Sequence, residues 1–418
     1  MLSESSPRPA LTVALCFLVA LIEGIDLQAA GIAAPQMAKE FGMGPGGMGW
    51  IFSAALLGLL PGAYVGGRLA DRWCAKPVLI GSVMLFGLFS LVTTHAGGYP
   101  GLLVARLMTG LGLGAALPLI IAVVANAVSE GQRGSMVTLT YAGAPLGGAL
   151  AAWIGMSSLG DSWRLIFYLG GAAPLILVAA LAYGLPSTKG SSVRPFNRSV
   201  LPTSGGGLLT NGRALSTVLL WLACFFTLTV LYMLMNWLPT LLVSQGYSRP
   251  QAGWVQILFN IGGACGSCVI GRMMDRGYTR LAVSITYLGM LASLAGLGLA
   301  PFFEMLLLAG FTAGYCAIGG QALLYALSPT LYPQFIRATG VGAAVAIGRL
   351  GSVAGPLVAG MVLAAGGGAT ALLLAATPGL LVAAGAAGML SGRSVAYREY
   401  SQGGSKPSSP VWSSWRNR

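Results

Sequence analysis

The feature that most constrains this chain is a series of apolar segments, each about 20 residues long, separated by short polar turns. About 20 residues of α-helix cross the ~30 Å hydrocarbon core of a bilayer. Only 8% of the residues are charged, whereas a soluble domain carries about 25%. The sequence therefore predicts an all-α integral membrane protein.

We predict twelve transmembrane helices in two six-helix bundles. The longest polar interval between apolar segments follows the sixth of them and contains STKGSSVRPFNRS, which is typical of a flexible linker. We therefore divide the chain into an N-terminal six-helix bundle (1–185), a cytoplasmic linker (186–214), a C-terminal six-helix bundle (215–391) and a disordered cytoplasmic tail (392–418). The predicted spans are 11–34, 49–70, 77–96, 100–125, 135–158, 164–185, 215–243, 251–271, 281–300, 303–327, 338–364 and 369–391.

The basic residues indicate the orientation of these spans. Lys39, Arg164 and Arg249 fall on one side, Arg106 and Arg349 fall inside spans, and the other eighteen of the 23 lysines and arginines fall on the side of the termini. Basic loops stay in the cytoplasm, so both termini are predicted to be cytoplasmic. This distribution explains the net charge of +13, and we expect the lipid bilayer, and no nucleic acid, as partner.

Cysteine and histidine give little support for a metal site or a cofactor. The chain has six cysteines and one histidine, His95. The spacing Cys265-x-x-Cys268 matches a redox or metal motif, but it lies in GGACGSCVIG, and such a small-residue stretch is more typical of close helix packing. The glycines of TGLGLG (109–114) likewise predict a helix-packing face at Gly110 and Gly114, because no phosphate-loop lysine follows them. We expect no metal, no cofactor and no enzymatic activity.

A short motif occurs twice, at matching places in the two halves. GRLADR lies between spans 2 and 3, and GRMMDR lies between spans 8 and 9, 204 residues later. Matched elements in two six-span halves are typical of transporters built from repeats. We predict a gate in which the glycine permits close helix approach and the charged residues pair with neighbours; the alternative is a plain basic turn. The candidate gating residues are Gly67, Asp71, Arg72, Gly271, Asp275 and Arg276.

Several motifs resemble those of the major facilitator superfamily. GGRLADRWCAK resembles its loop motif, although Cys74 and Ala75 stand where Gly-Arg usually follows. ARLMTGLGLGAALP (105–118) resembles its fourth-span signature, with Arg106 as the motif arginine. Within the superfamily, EGIDLQAAGIAAP resembles the span-1 acidic motif of the aromatic acid:H⁺ symporter family, with Glu23 in place of the usual aspartate. Four further segments are also similar to that family: MGWIFSAALLGLLPGAYVGG, NWLPTLL, IRATGVG and GRLG.

Four charged side chains are placed deep in the predicted membrane: Glu23, Asp26, Arg106 and Arg349. At ~1.5 Å per residue, Asp26 lies ~22 Å and Arg106 ~21 Å above the cytoplasmic edge, so they can pair if spans 1 and 4 adjoin, as the family fold implies. Glu23 lies at ~18 Å and Arg349 at ~16 Å. Placing a charged side chain in the bilayer interior costs free energy, so each of these four residues is a candidate for a functional role.

Carboxylates near a mobile charge can exchange protons, so Asp26, Glu23 and Arg106 are the proton-coupling candidates, with Asp26 the principal one. A structural Asp26–Arg106 pair is the alternative.

Arg349 is the candidate for binding an anionic substrate, although it could instead tether helices through backbone carbonyls. Polar residues spaced i,i+4 are further substrate-binding candidates, but helix–helix hydrogen bonding explains them equally well. They are Gln256 and Asn260 on span 8, and Tyr232 and Asn236 on span 7.

The resemblance implies a proton symporter that imports an aromatic carboxylate, such as a hydroxyphenylpropionate or a related phenylpropanoid acid, by alternating access. It also implies a bacterial inner (plasma) membrane location, and we expect a monomer whose partners are the substrate, protons and lipid. A proton-coupled exporter of drugs or organic acids is the alternative, because GSVAGPLVAG (351–360) resembles a glycine–proline motif often associated with antiporters. This motif lies on span 11, whereas span 5 has only the shorter GAPLGG.

Overall fold

The structure is a computed structural model, and it describes residues 9–129, 132–157, 162–185, 206–209, 213–332 and 336–401. Most of the predicted linker and the end of the predicted tail, 402–418, lie outside these residues. The described part consists almost entirely of α-helices. They are α1 (Pro9–Phe41), α2 (Pro45–Trp73), α3 (Ala75–Thr94), α4 (Tyr99–Ala127), α5 (Arg133–Tyr141), α6 (Gly143–Met156), α7 (Arg164–Gly184), α8 (Gly206–Leu209), α9 (Ala214–Ser244), α10 (Arg249–Asp275), α11 (Thr279–Leu299), α12 (Phe303–Leu327), α13 (Arg337–Ala364) and α14 (Ala369–Ser401).

Within the described residues, twelve helical segments are long and apolar enough to cross a membrane, and they coincide with the twelve predicted spans. The predicted all-α membrane fold is confirmed. Several helices are longer than predicted, because polar residues at the membrane surface continue the helix. Thus α1 ends at Phe41 rather than 34, and α14 extends to Ser401, past the predicted start of the tail at 392.

The fifth span is interrupted at one residue, Ala142, between α5 and α6, although the backbone dihedral angles of Ala142 remain helical. Pro145 lies in the first turn of α6 and cannot donate the hydrogen bond that would otherwise reach the carbonyl of Tyr141. Its ring also excludes that carbonyl from the usual helical position. The interruption lies directly after Tyr141.

Glycines on one helix face hold α4 against α2. A Cβ atom at Gly110 would overlap the backbone carbonyl of Ala55, and one at Gly114 would overlap that of Leu59. The predicted helix-packing face is therefore confirmed. In the second half, a Cβ atom at Gly266 of α10 would overlap the backbone of α12 in the same way, so the small residues around the two cysteines do serve helix packing.

The two halves repeat the same packing scheme. α2 packs on α4 as α10 packs on α12, α1 packs on α6 as α9 packs on α13, and α3 packs on α7 as α11 packs on α14. Both the start of α1 and the end of α14 lie at one face of the bundle, which we call the terminal face; the other is the opposite face.

The halves contact each other through three helix pairs, α1 with α9, α2 with α13, and α6 with α10. Of the two pieces of the fifth span, α6 lies toward the opposite face and packs against the other half, whereas α5, toward the terminal face, packs on α1 and α4 of its own half. The halves are thus joined near the opposite face and leave space between them toward the terminal face.

Candidate functional site

A cavity of about 330 Å³ lies between the two halves. Its polar lining comes from both halves: Glu23, Thr138 and Tyr141 from the first, and Tyr232, Ser267, Gln321, Tyr325 and Arg349 from the second. Most of the remaining lining is apolar. The cavity reaches Cys268 and Gly271 near the end of α10, so it extends toward the terminal face. A largely apolar cavity with a few converging polar groups suits an organic ligand with one charged end.

Arg349 is the cationic group of the cavity. Its Nη1 donates to the Tyr232 hydroxyl at 3.0 Å, and the side chain is only partly buried. The ion pairs among the described residues join Arg106 to Asp26 and Arg164 to Glu40, so Arg349 is not held by a carboxylate in direct contact. Its guanidinium therefore retains donors for a ligand carboxylate.

Glu23 is the acidic group of the same cavity. It interacts electrostatically with Arg349 and Asp26. Its Oε2 is buried and has no hydrogen-bond partner among the described residues. An incompletely bonded carboxylate that lines a cavity is suited to exchanging a proton.

Asp26 and Arg106 form the ion pair that the depth estimate predicted. Arg106 Nη1 donates to Asp26 Oδ1 at 2.9 Å, and Arg106 Nη2 donates to the Asp26 backbone oxygen at 3.1 Å. Ser90 also donates to Oδ1, at 3.0 Å, and the guanidinium lies over the Phe167 ring. Asp26 is 0% and Arg106 1% exposed. The pair lies inside the first half, and neither residue lines the cavity.

The other substrate-binding candidates divide between two places. Tyr232 lines the cavity. Gln256 and Asn260 do not; they bond to Gln28 of α1, on the opposite-face side of Glu23. Asn236 donates to the Tyr232 backbone oxygen of its own helix at 2.8 Å and also lies outside the lining.

Sequence reasoning missed Gln28, Tyr141, Gln321 and Tyr325. A signal existed for three of them, because Gln28 is a polar residue within an apolar span and Gln321 and Tyr325 are spaced i,i+4. Gln321 Nε2 indeed donates to Tyr325 Oη at 3.2 Å. Tyr141 becomes notable only through the break in the fifth span.

The charged residues among the gating candidates form no ion pair within the described part of the chain. Asp71, Arg72, Asp275 and Arg276 are exposed. A Cβ atom at Gly67 or at Gly271 would meet no atom within 4 Å. The predicted reason for these glycines, close helix approach, is therefore wrong for this conformation, because the halves are separated at the terminal face. Their role as a gate stays a prediction.

Twelve spans in two repeated halves, with a largely apolar cavity and a few converging polar groups between them, define a polytopic membrane transporter. The family model of the Major Facilitator Superfamily matches residues 16–250 and 220–418. The chain belongs to this superfamily.

Individual proteins show the same relationship. The chain is 52% identical over 381 residues to the 3-(3-hydroxy-phenyl)propionate transporter of Escherichia coli K12, covering 91% of this chain and 94% of the relative. It is 33% identical over 375 residues to the 4-hydroxybenzoate transporter PcaK of Pseudomonas putida, covering 82% and 84%. Among solved structures, the xylose transporter XylE from E. coli matches with a TM-score of 0.70 at 18% identity, covering 90% and 97% of the two chains. This last match shows the shared fold alone.

Proposed function

We propose that this protein imports 3-(3-hydroxyphenyl)propionate or a related phenylpropanoid acid together with protons, by alternating access of one cavity to the two faces. The observation that carries the proposal is the placement of Glu23 and Arg349 in the same cavity but on different halves of the molecule. The similarity to aromatic acid transporters supports the substrate class.

Arg349 binds the carboxylate of the substrate in this proposal. Its planar guanidinium can bind a carboxylate through two hydrogen bonds, and Tyr232 holds it in place from one side. The apolar lining accommodates the ring, while the Gln321–Tyr325 pair supplies polar groups for a ring hydroxyl.

Glu23 carries the proton. Arg349 and Glu23 interact electrostatically across the cavity, and Arg349 carries a positive charge. A bound anion neutralises that charge, so protonation of Glu23 becomes more favourable when the substrate is present. Asp26, held by Arg106 and Ser90 inside the first half, forms an ion pair whose loss would leave Arg106 buried and unpaired.

Proton symport also solves an energetic problem for an anion. A cell interior that is negative by 100 mV opposes the entry of a monovalent anion by about 2.3 kcal/mol. One accompanying proton cancels the charge, and a pH gradient then drives accumulation. The proposal places the terminal face in the cytoplasm of a bacterial inner membrane, as the basic residues indicate, and takes the monomer as the transport unit.

Two transport modes of the purified protein in liposomes test these roles. Glu23→Gln should lose accumulation driven by a pH gradient but retain exchange of labelled for unlabelled 3-(3-hydroxyphenyl)propionate at equal pH. Arg349→Gln should raise the KM for exchange about tenfold or more, because it removes a charge-assisted hydrogen bond. Glu304→Gln and Arg280→Gln, at exposed helix ends, are the matched controls and should behave as the unmodified protein.

Accumulation by Glu23→Gln at the unmodified level would contradict the proton role, and an unchanged KM in Arg349→Gln would place the carboxylate elsewhere. The direction of proton flow when substrate is added separates import from export, because a symporter moves protons with the substrate and an antiporter moves them against it. Failure of the unmodified protein to transport any of a panel of aromatic acids would overturn the substrate class.

A further inference from the structure

Three amide side chains bond to one another between the halves. Gln28 Nε2 donates to Asn260 Oδ1 at 2.7 Å, and Asn260 Nδ2 donates back to Gln28 Oε1 at 3.0 Å. Gln256 Nε2 also donates to Gln28 Oε1, at 2.6 Å. All three residues are 0% exposed. We call these three residues the amide cluster. Gln28 belongs to α1 of the first half, and the other two belong to α10 of the second, so the cluster joins the halves directly.

The amide cluster lies between two cavities. Gln28 is five residues beyond Glu23 toward the opposite face, and Glu23 lines the central cavity. On the other side of the cluster is a smaller cavity of about 50 Å³, lined by Gln256 together with Ala33, Ala152 and other residues near the opposite-face ends of their helices. The cluster therefore lies between the central cavity and the smaller one, where the halves are in contact.

The surroundings fit a contact that forms and breaks. A Cβ atom at Gly148 of α6 would overlap both Gln28 Nε2 and Asn260 Oδ1, so the glycine leaves the room that the amides occupy. Gln256 Oε1 is buried and accepts no hydrogen bond from the described residues. A buried acceptor without a donor weakens the closed arrangement and favours its opening.

We propose that the amide cluster of Gln28, Gln256 and Asn260 is the closing contact of the transport pathway at the opposite face, and that its separation accompanies opening to that face. The inference rests on the alternating access proposed above, but it does not depend on the identity of the substrate. It assigns Gln256 and Asn260 a part in the conformational change, as positioning residues, rather than contact with the substrate in this state.

The rate of cysteine labelling measures how often the protein opens to the opposite face. Ala152 lines the smaller cavity and is 1% exposed, so a cysteine at this position reports opening to the opposite face. It is introduced with Cys74, Cys265 and Cys268 replaced by serine, which leaves Cys16, Cys224 and Cys316 buried. Gln28→Met keeps the length of the side chain but removes all its hydrogen bonds. Because an average hydrogen bond corresponds to about a fivefold change in an equilibrium, labelling of Ala152→Cys should accelerate about fivefold or more.

Two independent variants accompany Gln28→Met. Asn260→Leu removes one of the two partners that Gln28 has in the other half. Gly148→Ala displaces the amides without removing a polar group. Both variants should accelerate the same labelling. Gln245→Met, at the end of α9 and outside the cluster, is the matched control and should leave the rate unchanged.

Unchanged labelling in all three cluster variants would overturn the proposal. So would a rise in the KM for substrate exchange with no change in labelling, because that result would make the amides part of the substrate site. Accelerated labelling in a protein that transports no aromatic acid would support the closing contact and at the same time reject the proposed substrate.

Discussion

At the scale of single residues, the backbone of Cys74 makes a specific prediction. Its φ is 103°, and it is the one non-glycine residue with positive φ among those described. The related loop motif usually has glycine here. Such a conformation costs about 1–3 kcal/mol for a residue with a side chain, while glycine costs about 0.5–1 kcal/mol in added chain entropy. Cys74→Gly should therefore raise the free energy of unfolding by about 1 kcal/mol.

Thermal unfolding in detergent, followed by tryptophan fluorescence, measures this change as an increase in Tm. Cys74→Ser is the matched control, because serine has a Cβ atom and keeps the strain; its Tm should equal that of the unmodified protein. Equal Tm values for the glycine and serine variants would show that the loop relaxes without cost.

Glu23 and Asp26 show what sequence could resolve at this scale and what it could not. Their shared depth and the level position of Arg106 were predictable from the rise of a helix, and the Asp26–Arg106 contact is present. Which acid lines the cavity was not predictable, because that depends on how α1 is rotated against α4 and α6. A rotation is set by packing contacts such as Gly24 against Ala144, which no pattern within span 1 reveals.

At the scale of helices, the close contact of α4 with α2 makes the second prediction. The carbonyl of Ala55 occupies the place of a Cβ atom at Gly110, so even one added methyl group must push the helices apart. Gly110→Ala should lower the free energy of unfolding by about 1–3 kcal/mol, as overpacking does in other proteins. A lower Tm in detergent and a lower yield of protein in the membrane are the expected measurements.

Gly81→Ala is the control on a neighbouring helix. A Cβ atom at Gly81 would meet no atom within 4 Å, and alanine favours helix over glycine by about 1 kcal/mol, so its Tm should stay the same or rise. A Tm for Gly110→Ala that is equal to that of Gly81→Ala would show that α2 and α4 can separate freely.

The helices also differ in how much of their packing and continuity could be predicted from the sequence. The face of α4 was predictable because TGLGLG places its glycines one turn apart. The break between α5 and α6 was not predicted, although Pro145 was visible, because α1, α4 and α9 continue through their internal prolines. Whether a proline breaks a helix depends on whether neighbouring helices hold the two pieces in line.

At the scale of the whole molecule, the repeat made the two-half architecture predictable, since GRLADR and GRMMDR occupy equivalent places. The conformation was not predictable, because under the proposed alternating access one sequence must be compatible with openings to either face. In this structure the halves meet near the opposite face through α2 with α13 and α6 with α10. For the same reason a Cβ atom at Gly67 would meet no atom within 4 Å.

This arrangement predicts from which side Cys268 can be reached. Cys268 lines the central cavity toward the terminal face, and it becomes the one thiol that is not buried once Cys74 and Cys265 are replaced by serine. A maleimide that cannot cross membranes should label it in inside-out vesicles and much more slowly in right-side-out vesicles, because the terminal face is cytoplasmic in the proposed orientation. Labelling mainly in right-side-out vesicles would reverse that orientation.

Added 3-(3-hydroxyphenyl)propionate should slow the labelling of Cys268, since substrate bound at Arg349 narrows or closes the route to the thiol. An unchanged rate at saturating concentrations would mean that this acid occupies a different site.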